Sequence, residues 1–354
     1  MTPDGSLQIT DPVYVPKERL NPLESFLSRY IRDIRDLPFL KLSLRAFLIL
    51  VPWSLFLFLW PRFYWSLAIL YCAVLFFSIL GPYVLMLHNF SHRPLFKKNY
   101  HFLEHILVWV LGPLCGQTPE TYYVHHLGMH HVEENLPKDL SSTMKYRRDS
   151  FSDFTKYFLR FYFFSIVEMS RYLKRRDRPA LLKRMLWGEL SWYLAVLLLF
   201  FFNWQATLVV FVVPLVLTRF MMMNGNWAQH AFVSQESPDD PFQSSITCIN
   251  SRYNRTCFND GYHIGHHLSA SRHWTDMPDD FLKNRNEYVS HRAIVFENLD
   301  YFQIWIYLML KRYDRLAKHF VNLDGENPLS TEEIINLLKS RVQPFPTNAL
   351  AQWA

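Results

Sequence analysis

At 354 residues with a formal charge of +6, the chain is 50% hydrophobic, 17% aromatic and only 19% charged. That length holds two soluble domains or one polytopic membrane domain with a large extramembrane part. Lys and Arg fall between apolar runs rather than along one stripe, which argues for orientation in a membrane and contact with anionic headgroups and against nucleic-acid binding.

Residues 1–41 are polar, contain Pro12, Pro16 and Pro22, and lack the pattern of a secretory signal. A short amphipathic helix near Leu23–Ile34 is expected at the membrane surface. Apolar runs then cover residues 42–60 and 63–87, joined through Pro61-Arg62-Phe63 as a helical hairpin. Runs over 186–202 and 205–223, joined at Asn203-Trp204, predict a second hairpin. Each run is about long enough to cross a hydrocarbon core of roughly 30 Å. Phe102–Gly116 and Phe151–Met169 are shorter or interrupted by charge and are read as interfacial or buried helices. Arg93 to Arg184 is dense in Lys and Arg, including Lys174-Arg175-Arg176, whereas the hairpin tips carry only Arg62. The positive-inside rule therefore puts both termini and a large helical cap in the cytosol. Beyond residue 285, Leu299–Leu316 is aromatic and amphipathic, and Ser330 with Glu333 forms a capping box for a helix of about Thr331–Lys339. The fold class read from this pattern is an all-α polytopic membrane protein, four transmembrane helices in two hairpins under a cap, in segments 1–41, 42–285 and 286–354. The cysteines Cys72, Cys115, Cys248 and Cys257 have no CxxC spacing and are read as free thiols.

Histidine is the outlier, with 15 residues gathered mostly into three clusters and one single position. His88 and His92 end the second apolar run; His125, His126, His130 and His131 form the second cluster; His263, His266 and His267 form the third; His230 stands just past the fourth run. On a helix, positions i and i+4 share a face, so His88/His92, His126/His130 and His263/His267 are potential chelating pairs. An adjacent histidine points about 100° away and can serve a second metal. Either His125 or His126 can lead the second cluster, and the i/i+4 relation favours His126. Asn226, four before His230, faces the same way and could present an amide oxygen or a bridging water. Neutral imidazole suits iron, copper, zinc and nickel alike. Asp260, Asp139 and Asp276 are candidates for holding the outer nitrogens of such ligands. Trp109, Trp227, Tyr262 and Trp274 are candidate lining for a lipid chain, and Arg147-Arg148 with Lys174-Arg175-Arg176 candidate contacts for a phosphate headgroup or an acidic electron carrier. His101, His105, His273, His291 and His319 are assigned surface or supporting roles.

The motifs HNFSH, HLGMHH and HIGHH resemble the three histidine boxes of the membrane fatty acid desaturase and hydroxylase superfamily, over about residues 45–285. Asn226-Trp-Ala-Gln-His230 is similar to the NxxxH element of stearoyl-type desaturases, and Asn259-Asp-Gly-Tyr-His263 also looks like the family's. The resemblance implies a cytosolic di-iron site held by His88, His92, His126, His130, His131, His230, His263, His266 and His267, using O2. The leading box lacks the Asp often found after its first histidine, and the second takes a longer form. No His-Pro-Gly-Gly occurs, so the resemblance implies a separate electron donor of cytochrome b5 or ferredoxin type.

A mid-chain methylene has no useful acidity, so acid–base groups alone cannot activate it and an oxidant made from O2 is needed. The expected activity is desaturation of an acyl-lipid or acyl-CoA chain, in the endoplasmic reticulum of a eukaryote or the inner membrane of a bacterium. A hydroxylase acting on sphingolipid, sterol or terpenoid chains is the nearest alternative. A zinc-dependent membrane hydrolase and a non-catalytic scaffold are the alternatives of other classes.

Overall fold

The structure, a computed structural model, describes residues 7–353. It is mostly helical. Four helices are long and apolar enough to cross a membrane: Ile34–Leu59, Trp65–His92, Pro179–Phe202 and Trp204–Gln229. At 1.5 Å per residue even the shortest, with 24 residues, reaches about 36 Å. Each extends past the apolar run that predicts it, because polar turns continue the helix beyond the hydrocarbon length: Arg35, Asp36 and Lys41 in the first, His88–His92 in the second, Asn224–Gln229 in the fourth. Asn203 caps the fourth helix by accepting from the Ala206 amide, which fixes the tight second hairpin. Leu48, Leu55, Ile69, Phe77, Leu194, Leu198 and Phe201 stand exposed along these helices, as a lipid-facing surface requires. Three of the four contain or adjoin π-helical turns or an internal proline: Pro52, Leu75–Ile79 and Leu208–Val212.

The chain forms two compact units. The spanning unit comprises residues 15–128 and 169–221. Its surface helix is Pro22–Ser28, shorter than expected, closed by an Asn21/Glu24 capping box; Ile31 then leaves the helix to bridge Phe96. The segment 102–114 is helical with a π turn at Leu107–Leu111.

The second unit comprises the described residues up to Tyr14, 129–168 and those from Met222 onward. It contains an element that periodicity did not announce: a two-stranded parallel sheet pairing Ile246–Ile249 with Ile294–Glu297. Both strands are nearly continuous in apolar residues and buried, as parallel strands are. Leu299–Leu316 resolves into helices Tyr301–Met309 and Tyr313–His319, whose Ile304, Leu308 and Leu316 are fully buried against that sheet's core. Helix Thr331–Arg341 carries both halves of the Ser330/Glu333 capping box, and a last short helix, Thr347–Gln352, follows it. All four cysteines are free thiols.

Candidate metal centre

In the spanning unit, His88 and His92 occupy the last turn of the second spanning helix, their rings 5.5 Å apart. His126 follows the short helix Thr121–His125 and lies 4.6 Å from the His88 ring and 4.9 Å from the His92 ring. The Nε2 atoms of His92 and His126 are 2.8 Å apart, and Tyr122 stacks on the His126 ring, at 5.2 Å and 16°.

In the second unit, His130, His230, His263 and His267 place one nitrogen each within 4.8 Å of all the others. Nε2 of His263 is 3.3 Å from that of His230 and 3.0 Å from that of His267. The outer nitrogens are held. His130 Nδ1 donates to Asp139 Oδ2 at 2.7 Å, and His230 Nδ1 to the Ser244 carbonyl at 2.8 Å. Those bonds put the proton on Nδ1 and leave a lone pair on Nε2, directed at the other imidazoles. Asp139 is itself fixed by the Asn135 amide, the Ser141 amide and the Ser141 hydroxyl. Burial and the neighbouring His130 pull the His230 pKa down to about 3. Burial and four surrounding imidazoles likewise push His267 well below the ordinary value. Neutral imidazoles with converging lone pairs repel one another unless a cation lies among them, so this donor set fits a metal ion. His131 and His266, each next in sequence to a member of this set, pair with each other instead, Nε2 to Nε2 at 2.9 Å.

The i/i+4 pairing holds for His88/His92 and His263/His267 and fails for His126/His130. Residues His126–His130 form a π turn. Its i→i+5 bonding rotates His130 from where an α turn would hold it, and the two residues join different groups. His125 belongs to neither group. The three candidate carboxylates have these partners. Asp139 holds His130; Asp260 accepts from Tyr253 Oη at 2.6 Å; Asp276 receives the Thr275 hydroxyl in the turn that His273 caps. Asn226 turns its amide nitrogen to the Ser141 carbonyl and to Tyr157 Oη, at 2.9 and 2.8 Å, tying the loop that carries Asp139 to the helix turn that carries His230.

Arg148 is a correction. It is fully buried and donates to six backbone carbonyls, those of Thr143, Met144, Tyr146, Ala231, Arg341 and Gln343, so it staples its unit and does not reach a headgroup. Trp227 and Tyr262 are packing residues: Trp227 sits among Tyr146, Phe154 and Tyr157, and Tyr262 donates to Asp11. His291 meets Asp240, and His319 donates to the Glu297 carbonyl.

Two supports were missed. Asp11 accepts from Tyr262 Oη and the Asn250 amide, both at 2.7 Å, tying the N-terminal segment to the turn before His263; no spacing in the sequence announces it. Glu189, in the third spanning helix, accepts from Thr118 at 2.7 Å, Thr121 at 2.8 Å and Arg219 at 3.3 Å. Beside it, Gly188 touches the Pro119 carbonyl so closely that a Cβ there would lie 1.8 Å from the oxygen. Together they pin the start of the helix that leads to His126. A charged residue inside each of two apolar runs was the available signal.

Residues 64–298 match the sequence model of a family described as fatty acid desaturase. No curated protein and no solved structure matches the chain.

Proposed function

The chain belongs to the fatty acid desaturase family, whose members oxidise lipid chains, and from that premise we propose that it is an O2-dependent acyl desaturase with two histidine-held irons. The proposed ligands are His88, His92, His126, His130, His131, His230, His263, His266 and His267. The observation that carries the proposal is the set His130, His230, His263 and His267, with outer nitrogens donating and inner lone pairs converging. Iron bound there would supply the oxidising power, drawn from O2 and electrons from a separate carrier of cytochrome b5 or ferredoxin type. Desaturation balances as one alkane segment, O2, two protons and two electrons giving one alkene and two waters.

The protein's own part is orientation and shielding. Asp139 and the Ser244 carbonyl keep the protons of His130 and His230 on Nδ1, so Nε2 is always ready to ligate. Burial keeps the His230 imidazole neutral and shields both rings from water. Termini and site are assigned to the cytosolic side, from the loop charge. The hydroxylase alternative uses the same ligands and differs only in where the chain stops relative to the oxidant. A zinc hydrolase is disfavoured because both histidine groups are free of carboxylate. Expression in a host of simple lipid composition, with mass spectrometry of total lipids, tests the reading. New unsaturation with about two irons per chain supports it; a new hydroxyl selects the alternative; one zinc and no oxidised lipid rejects both.

A further inference from the structure

Within the spanning unit, two adjoining voids meet at one ion pair. The inner one, about 160 Å³, is lined by Leu87, Phe90 and Ser91 from the turn that carries His88 and His92, and by Tyr122, which stacks on His126. The outer one is a wider recess of about 600 Å³ walled by His105, Trp109, Glu120, Arg184 and Trp187. His105, Glu120 and Arg184 line both. Glu120 stands at the junction with a left-handed backbone, φ +66°, a conformation that costs a non-glycine residue about 1 kcal/mol or more and persists where surroundings over-determine it. It is 7% exposed and accepts from Trp109 Nε1 at 2.8 Å and from Arg184 Nε. The Arg184 guanidinium lies 3.9 Å over the Tyr123 ring, and its Nη groups have no hydrogen-bond acceptor among the described residues.

The recess opens on the third spanning helix. Trp187 is 68% exposed there, followed along the helix by exposed Leu190, Leu194, Leu197 and Leu198, the surface that lipid must cover. Resting on the desaturase reading, we propose that this recess is a lateral portal through which an ester-linked acyl chain of a membrane lipid leaves the bilayer. Trp109 and Trp187 flank the chain at the mouth, where indole rings suit the boundary between tails and headgroups. The free Nη edge of Arg184 donates to an ester or phosphate oxygen of the lipid. The inner cavity, about the size that holds one benzene ring, takes a few methylenes and not a whole chain.

Charge selects this occupant over an acyl thioester of a polyanionic nucleotide carrier. The lining supplies one guanidinium, already paired to Glu120, and a second carboxylate, Glu104. Several phosphates would find no matching cations there. A zwitterionic or neutral lipid with a single ester or phosphate at the mouth meets no such penalty.

The test uses the full-length protein in nanodiscs of phosphatidylcholine bearing a diazirine in the acyl chain near the ester. Cross-linked peptides are mapped by mass spectrometry, and iron is measured on the same sample. Labelling of the segments around His105–Trp109 and Arg184–Trp187 is expected at least about fivefold above that of Leu194–Phe201. It should fall about tenfold in Val108→Phe, since Val108 lines the inner cavity and the larger ring plugs it, and about threefold in Arg184→Gln, which keeps a donor for Glu120 and tests the mouth should the plug misfold. Excess acyl-CoA should leave the pattern unchanged. Labelling no stronger than on the bare helix face, or displaced by acyl-CoA, overturns the portal. Two irons without portal labelling leaves the desaturase reading standing; portal labelling without iron rejects that reading and leaves a lipid site.

Discussion

Glu189 offers the sharpest test of how the spanning helices hold the histidines. Its side chain is 1% exposed and faces the Arg219 guanidinium, 10% exposed, at 3.3 Å, while Thr118 and Thr121 donate to the same carboxylate oxygen. Glu189→Ala removes the carboxylate facing a buried cation, a loss of roughly 3–5 kcal/mol. It also takes the acceptor from two hydroxyls, each worth about 1 kcal/mol before they turn to backbone carbonyls. About 4 kcal/mol is the working figure, roughly a thousandfold in the unfolding constant. Glu189→Gln keeps an acceptor for both threonines and should cost about half as much. The paired replacement Glu189→Leu with Arg219→Met removes both charges together and should return to within about 1 kcal/mol of the parent. Reversible unfolding in mixed micelles, followed by circular dichroism, measures all three. A loss below about 1 kcal/mol for Glu189→Ala would refute the reasoning, as would a paired variant no better than the single one. Because Thr121 opens the helix that delivers His126, Glu189→Ala should lower iron content more than Glu189→Gln, which keeps an acceptor for Thr121.

Asp139→Ala should weaken iron binding about 10–100-fold, read by chelator competition, since His130 loses the partner that fixes its tautomer and orientation. His266→Ala, which removes the partner of His131, and His267→Ala, which removes a member of the four-imidazole set, should each lower iron content and leave distinct Mössbauer spectra; identical residual spectra would dissolve the separate roles of the two neighbours. Burial raises the Asp11 carboxyl above its ordinary value of 3.8, against hydrogen bonds from Tyr262 and Asn250 that lower it. A raised folded-state pKa means that folding favours the protonated form, so this residue's contribution declines as pH rises through the folded value. Asp11→Asn, neutral throughout and still an acceptor, should therefore be more stable than the parent at pH 7, with the gap closing toward pH 3 in thermal melts.

What the sequence revealed, and what it hid, divides along one physical line. The spanning helices and the histidine boxes were legible because hydropathy and residue identity are local properties. The assignment of each histidine to a partner was legible only where the backbone is a plain α-helix. His88/His92 and His263/His267 obey the i/i+4 rule, and the adjacent pairs His130/His131 and His266/His267 diverge as a turn of about 100° per residue requires. His126 and His130 do not share a group because one extra residue is accommodated in the turn between them. A π turn costs hydrogen-bond geometry and persists only when tertiary contacts stabilise it. Those contacts are made by side chains: Tyr122 stacked on His126, Asp139 on His130 nine residues away, and, from far along the chain, Glu189 on Thr121 68 residues away. The same holds for Asp11, whose partners lie some 240 residues downstream. Spacing rules thus pick out the histidines that cluster and do not by themselves say which of them share a group. The residues that decide the pairing are the buried acids, and a short polar residue reads as loop until its distant partner is known.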